Sequence, residues 1–265
     1  MFRYTKALCR AIPKSIVNDG LSLKPRQTPV DYALAVKQHE KMMDALRKLN
    51  VEITLLETDE YTPDCVFTED TAVAIDDTVL ITNPGAASRK AEVIPVKKHF
   101  EKSAPNMRLV EMSEPACLDG GDVLFTGREI FVGLSSRTNM LGYECLRDTF
   151  PSYPTHAVEI ENATLHLKSM MTMADEDIIL CGKSPDACKA IDIMTRKSQY
   201  VYSVVRTPDD SGANVVVVNG TILCRSDLPD SLKVLEKLSI PRITMAAGEL
   251  SKVDGCLTCC SVLYN

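Results

Sequence analysis

Along most of this chain apolar and polar positions alternate in short runs, and the runs come in pairs. Ala72–Ile81 sets two apolar stretches about the acidic turn Asp76-Asp77, and Asp122–Val132 and Met171–Leu180 repeat the arrangement. Val215–Leu223 repeats it again about Asn219-Gly220. Period-two alternation interrupted by turn residues predicts β-hairpins, and Asn-Gly is the strongest of the short turn signals. A further strand, the start of a fifth hairpin, falls at Leu257–Leu263, where the chain runs out. The starts near 72, 122, 171, 215 and 257 lie roughly 40 to 50 residues apart, which is the spacing of a propeller-like array.

Between the hairpins the apolar period lengthens to that of a helix. Thr28 with Pro29 and Asp31 reads as a capped start, and Ala35, Met42, Leu46 and Leu49 recur on one face. Ser136–Phe150, Ser184–Arg196 and Asp227–Leu238 read as helices, as does Ala87–Lys102, where Pro95 should kink the helix or delay its start. Each is followed by a strand: Val51–Leu56, Met107–Met112, His156–Ile160, Ser203–Arg206 and Ile240–Thr244. The unit is hairpin, helix, strand. The first strand, near Leu8, should pair with the last and close a ring without sheet edges.

Composition narrows the classes. A chain of 265 residues with 45% apolar content can bury a sizeable core, and we read residues 1–265 as a single catalytic α/β domain. Net charge is -6 with the basic residues scattered, so there is no footprint for nucleic acid. No apolar run approaches the ~20 residues of a membrane span. Met1–Lys6 lacks the apolar core of a signal peptide. The start is basic, as in a mitochondrial presequence, but Ala7–Pro13 reads as a strand of the fold, so the cytosol is the expected compartment. Ten cysteines are then expected as thiols.

Candidate chemistry gathers in four places. Three cysteines, Cys256, Cys259 and Cys260, follow the turn Asp254-Gly255. Free cysteine is a common small core residue, yet a cysteine between a turn and a buried strand can also be held at a pocket floor. Cys256-Leu257-Thr258-Cys259 has the spacing of a redox pair or half a zinc site. Asp64, Glu69 and Asp70 place three acids around a short apolar run, and Leu118-Asp119-Gly120-Gly121-Asp122 sets two acids about a glycine pair. His166 stands between leucines, while His39, His99 and His156 sit in ordinary helix and strand contexts.

Taken in order and at this spacing, Asp119 in Leu-Asp-Gly-Gly-Asp, His166 in His-Leu-Lys-Ser and Cys259 after Asp254-Gly255 resemble the triad of the dimethylarginine dimethylaminohydrolases. The resemblance runs from about Ala7 to Leu263. It implies an α/β fold, the five-bladed α/β-propeller (pentein) of repeated ββαβ units with pseudo-fivefold symmetry. It implies hydrolysis of asymmetric dimethylarginine and monomethylarginine to citrulline and an amine, which relieves inhibition of nitric oxide synthase. By the same resemblance Cys259 is the nucleophile, His166 the general acid and base, and Asp119 its orienting carboxylate. Asp64, Glu69 and Asp70 hold the cationic substrate, and Arg89 and Arg137 its carboxylate. Leu21 belongs to a lid, and Val253 and Asp254 line the substrate. No metal or organic cofactor is implied as a catalyst, though zinc at Cys259 and His166 is a possible inhibitor. The partner implied is a small molecule, with the protein a monomer or homodimer.

Rival readings remain open on the residues alone. An arginine deiminase would carry a helical insertion for which this length leaves little room, and an agmatine-type substrate has no carboxylate for two arginines. A redox or zinc module would call for a second CxxC, which the sequence lacks. A non-catalytic binding propeller would not need Cys259.

Overall fold

The computed structural model describes residues 3–23, 25–160 and 164–265. Among them, fifteen strands form five three-stranded sheets. Four sheets follow the chain: β3 (Ala72–Ile75), β4 (Thr78–Ile81) and β5 (Arg108–Glu111); β6 (Val123–Phe125), β7 (Ile130–Leu134) and β8 (Thr155–Glu159); β9 (Met171–Asp175), β10 (Ile178–Cys181) and β11 (Ser203–Arg206); and β12 (Val216–Val218), β13 (Thr221–Arg225) and β14 (Arg242–Met245). In each, the first two strands pair antiparallel and the third returns parallel to the second. The remaining sheet joins β1 (Lys6–Arg10), β2 (Glu52–Leu56) and β15 (Val262–Tyr264). Here β1 takes the middle place, parallel to β2, and its antiparallel partner is the last strand, from Lys6↔Tyr264 to Leu8↔Val262. The expected ring closure is therefore present, and the fold is the five-bladed α/β-propeller.

Parallel return strands need a crossover, and helices supply it. Tyr32–Lys48, Val93–Ser103, Met140–Thr149, Pro185–Lys197 and Pro229–Leu235 each connect a middle strand to its outer neighbour. Their starts follow local capping. Ser184 caps its helix through Ala187 N–H and Asn139 through Gly142 N–H. Pro95 falls in the first turn of its helix, where a missing N–H costs little, and a 3₁₀ stretch, Ala87–Glu92, precedes it. The first long helix corrects an expectation. Asp31, not Thr28, is its cap: the carboxylate accepts from Leu34 N–H, while Glu249 holds the Asp31 N–H at 2.8 Å.

The blades pack through apolar clusters. At the closure, Phe100 lies edge-on to Tyr264 with ring centroids 5.1 Å apart, and His99 meets the Tyr264 hydroxyl at 2.7 Å. Asn219, at φ 51° in its predicted turn, ties Tyr4 and the end of the first long helix to β12–β13. All ten cysteines are free thiols, and none of the described helices is long and apolar enough to cross a membrane.

One feature recurs in every blade. Each innermost strand is entered through a single helical turn: Thr68–Thr71, Gly120–Asp122, Leu167–Ser169, Asp210–Ala213 and Thr258–Cys260. The Thr68–Thr71 turn touches those at Thr258–Cys260 and Gly120–Asp122, and the Leu167–Ser169 turn touches those at Gly120–Asp122 and Asp210–Ala213. The sequence reading put Leu257–Leu263 in one strand; Thr258–Cys260 is instead a 3₁₀ turn, and the strand starts at Val262. Alternation of strand faces therefore does not separate Cys259 from Cys260.

Gly142 gives a test of this packing. It lies inside a helix, where alanine ordinarily gains up to about 1 kcal/mol. A Cβ at this position would sit 1.9 Å from the Cys117 carbonyl oxygen. Gly142→Ala should therefore lose about 1–3 kcal/mol, the range for overpacking. Denaturant melts read this directly, and a variant as stable as the parent would show that the helix does not press on that carbonyl.

Candidate active site

The helical turns bring distant residues together because equivalent positions of successive blades face one axis. Asp119 and His166 are the residues that open their respective turns. His166 Nε2 lies 2.9 Å from Asp119 Oδ2. The other Asp119 oxygen accepts from Gly85 N–H at 2.8 Å, and Asp119 N–H donates to Thr138 Oγ1. The imidazole lies against Gly121, where a Cβ would come within 2.6 Å of Nδ1. The glycine pair thus makes room for the histidine. Asp70 completes the group: Oδ1 accepts from Gly121 N–H and faces His166 Nδ1 at 3.9 Å, while Oδ2 pairs with Arg89 at 2.5 Å.

A pocket of about 400 Å³ opens over these groups. It is lined by Cys259, His166, Asp119, Asp64, Asp70, Arg89, Arg137, Leu21, Val253 and Asp254, together with Phe67 and Leu165. The Leu21 N–H donates to Asp64, and the Leu23 N–H donates to Asp254, so the Leu21 loop is fastened to the pocket from both sides. Asp254 has φ 57°, a left-handed turn residue, as the Asp-Gly signal suggested.

Two expectations change. Glu69 does not line this pocket. Its carboxylate bonds Lys168 at 2.6 Å and the Thr258 hydroxyl at 2.8 Å, beside a separate cavity within the ring. Glu69 and Asp70 are neighbours on one 3₁₀ turn, and its tight winding sends them in different directions. Arg89 lines the pocket, but its donors go to Asp70, Glu92 and the carbonyls of Asp64 and Phe67. Arg137 is half-buried, and no hydrogen bond from its guanidinium is seen among the described residues. The other histidines stay outside the pocket: His99 pairs with Tyr264, His156 with Glu129, and His39 is buried in the core.

The charges are strongly coupled. Burial alone would push His166 toward its neutral form, but Asp70, Asp122 and Asp119 override it and raise its pKa to about 10. Asp70 is lowered to about 2 against its burial by His166 and Arg89. The Cys259 thiol is pushed well above its ordinary value by the Cys256 thiol, by burial and by Glu69 and Asp70. Donor atoms of Asp70, Asp119 and His166 lie within 4.8 Å of one another, a spacing that could hold a cation, but Cys259 is not part of that group.

Asp122 closes the Gly-Gly-Asp run. It is fully buried, accepts from Ser135, Thr138 and Leu167 N–H, and so links the Asp119 support to the residue after His166. Asn214 was not singled out; it braces the Cys259 turn through Thr258. The Gly-Gly-Asp run pointed to the first, and nothing local pointed to the second.

A model of the family described as N,N dimethylarginine dimethylhydrolase, eukaryotic, matches residues 22–216. The chain belongs to the dimethylarginine dimethylaminohydrolase family. DDAH2 of Bos taurus, provisionally named a hydrolase, is 34% identical over 274 residues, covering 98% of this chain and 95% of its own. The N(G),N(G)-dimethylarginine dimethylaminohydrolase of Streptomyces coelicolor is 32% identical over 259 residues, covering 97% and 96%. Among solved dimethylarginine dimethylaminohydrolases, the Pseudomonas aeruginosa enzyme, a cysteine-to-serine mutant complexed with citrulline, superposes with TM-score 0.87 at 25% identity, covering 99% of this chain and all of its own.

The raised His166 pKa has a measurable consequence. Its folded value, about 10, exceeds the usual 6.5, so its contribution to stability is complete below 6.5 and is lost as pH rises through about 10. Nitrogen-edited NMR should show one imidazole still protonated well above pH 6.5. In Asp119→Asn its titration should move down. An imidazole that titrates normally in both proteins would remove the charged pair.

Proposed function

We propose that this protein hydrolyses Nω-methylated arginines, asymmetric dimethylarginine and monomethylarginine, to citrulline and dimethylamine or methylamine. The observation that carries the reading is the buried His166–Asp119 pair in one pocket with Cys259 and Asp70. A guanidinium is a poor electrophile because its charge is delocalised. Asp70, with Asp64 nearby, holds and localises that charge. The bound cation offsets the carboxylates that keep Cys259 protonated, and the thiol loses its proton to solvent. The thiolate then attacks the central carbon, the bond to the methylated nitrogen breaks, and His166 donates a proton to the departing amine. A thiouronium remains on Cys259. His166, now neutral, takes a proton from water; the hydroxide attacks the same carbon, and the C–S bond breaks to give citrulline and the thiolate. Arg137 takes the amino-acid carboxylate, while Arg89, expected to share that task, holds Asp70. These steps use no metal or organic cofactor.

The reading treats residues 1–265 as one catalytic unit acting in the cytosol on a small molecule, as a monomer or homodimer, with no nucleic-acid or membrane partner. Ten free thiols suit a reducing compartment.

Citrulline release should be measured from asymmetric dimethylarginine, monomethylarginine, arginine and agmatine. Release from the methylated substrates first is expected. Preference for arginine would make the protein a deiminase, and no release at all would leave a binding propeller. Cys259→Ser should abolish turnover and Cys260→Ser should retain much of it; equal loss in two folded variants would sink the nucleophile assignment. Arg137→Ala should raise KM for dimethylarginine about tenfold to a hundredfold, the equivalent of roughly 1.5–3 kcal/mol for a charge-assisted bond, and leave free methylguanidine unaffected. An unchanged KM removes Arg137 from the site.

A further inference from the structure

The catalytic reading uses Cys259 and leaves Cys256 without a task. Cys256 is half-buried, and its backbone N–H donates to Cys259 Sγ at 3.4 Å. The Cys256 thiol itself donates to the Asp254 carbonyl at 4.0 Å. The two thiols open onto different spaces. Cys259 lines the substrate pocket, whereas Cys256 lines a neighbouring pocket of about 670 Å³. Leu23, Leu165, Asp254 and Gly255 border both, forming a partition between them. Cys260 differs: it is 3% exposed, lines neither space, and its thiol meets the Cys256 carbonyl.

We propose that Cys256 and Cys259 are a peroxide-responsive thiol pair, in which a hydroperoxide entering the neighbouring pocket oxidises Cys256 and the resulting group closes a disulfide onto Cys259. The inference rests on the reading of Cys259 as nucleophile only for its effect on turnover. Cys256 is the less buried of the two and borders the neighbouring pocket, so it is the sulfur that meets the oxidant, reacting as its thiolate. That thiolate displaces hydroxide from the peroxide and becomes a sulfenic acid. The Cys259 sulfur attacks it, its proton leaves with the hydroxyl as water, and an S–S bond forms. Two thiols and one peroxide give one disulfide and two waters. The nucleophile is then masked, and a dithiol reductant restores both thiols. Without Cys256, oxidation of Cys259 has no adjacent resolving thiol and proceeds to sulfinic acid, which such reductants do not reverse.

The test uses the full chain with hydrogen peroxide, followed by alkylation and mass spectrometry. Trypsin cutting after Lys252 leaves the three cysteines on one peptide. In the parent protein this peptide should lose two hydrogens, with fragmentation placing the bond between Cys256 and Cys259. Turnover of dimethylarginine should fall and return on adding dithiothreitol. In Cys256→Ala, and in Cys256→Val as a second apolar variant, the same peroxide should add oxygen to Cys259 without a disulfide, and activity should not return. Oxygen accumulating on Cys259 of the parent without a disulfide overturns the proposal, as does equal reversible disulfide formation in the Cys256 variants. A mapped Cys256–Cys259 bond with turnover intact would uphold the pair and refute Cys259 as nucleophile.

Discussion

Asp70 is a carboxylate buried between two cations, and the site is built around the need to keep it compensated. An unpaired buried charge costs several kcal/mol, and removing one partner of a buried pair typically costs about 3–5 kcal/mol. Arg89 meets one oxygen; Gly121 N–H and His166 Nδ1 meet the other. Those partners come from three different segments. Satisfying one carboxylate therefore fixes the Thr68–Thr71 turn, the Ala87–Glu92 stretch, the glycine pair and the His166 turn relative to one another. Asp119 and Asp122 add two further buried carboxylates around His166, and each is held by hydroxyl or backbone donors rather than by a second cation. The imidazolium is the centre on which they converge.

The repeat architecture explains how so short a motif can supply so many parts. Five turns stand at equivalent places, and sequence divergence among them divides the labour. The first gives Asp70, the second presents Asp119, the third presents His166 and the last gives Cys259. The fourth, Asp210–Ala213, places nothing in the pocket. The residue after it, Asn214, binds both Thr258 and the Lys168 carbonyl, bracing the Cys259 turn against the His166 turn. Glu69 and Lys168 tie the first turn to the third on the far side of the same layer, and Thr258 brings in the last.

Much of this was legible in the sequence because it rests on short-range signals. The four hairpins announce themselves by alternation and by turns such as Asn219-Gly220, and Ser184-Pro185 marks its helix by capping chemistry. The ring closure followed from a chain that begins and ends on a strand. What escaped has a common cause. A one-turn helix of three or four residues has no periodicity to read, so neither the turn at Thr258–Cys260 nor the divergent directions of Glu69 and Asp70 leave a local signal. The engagement of Arg89 by Asp70 and Glu92, and the brace from Asn214, are contacts between segments far apart in the chain. They depend on which groups a fold buries together, and no local pattern encodes them.

The electrostatics of the pocket and the reactivity of its thiol are one problem. Carboxylates that recruit a cation also oppose a thiolate, and Glu69 and Asp70 both act to raise Cys259. A charge-poor pocket would leave the thiolate easier to form but would not hold a guanidinium. The conflict resolves once the cation is bound. A unit charge about 4 Å from the sulfur, at an effective dielectric near 20, is worth roughly 4 kcal/mol, enough to lower a thiol pKa by about three. In the proposed mechanism ionisation is thereby coupled to occupancy: the thiolate forms where its target already sits. On that reading the same coupling keeps the unoccupied site from presenting a standing thiolate to passing electrophiles.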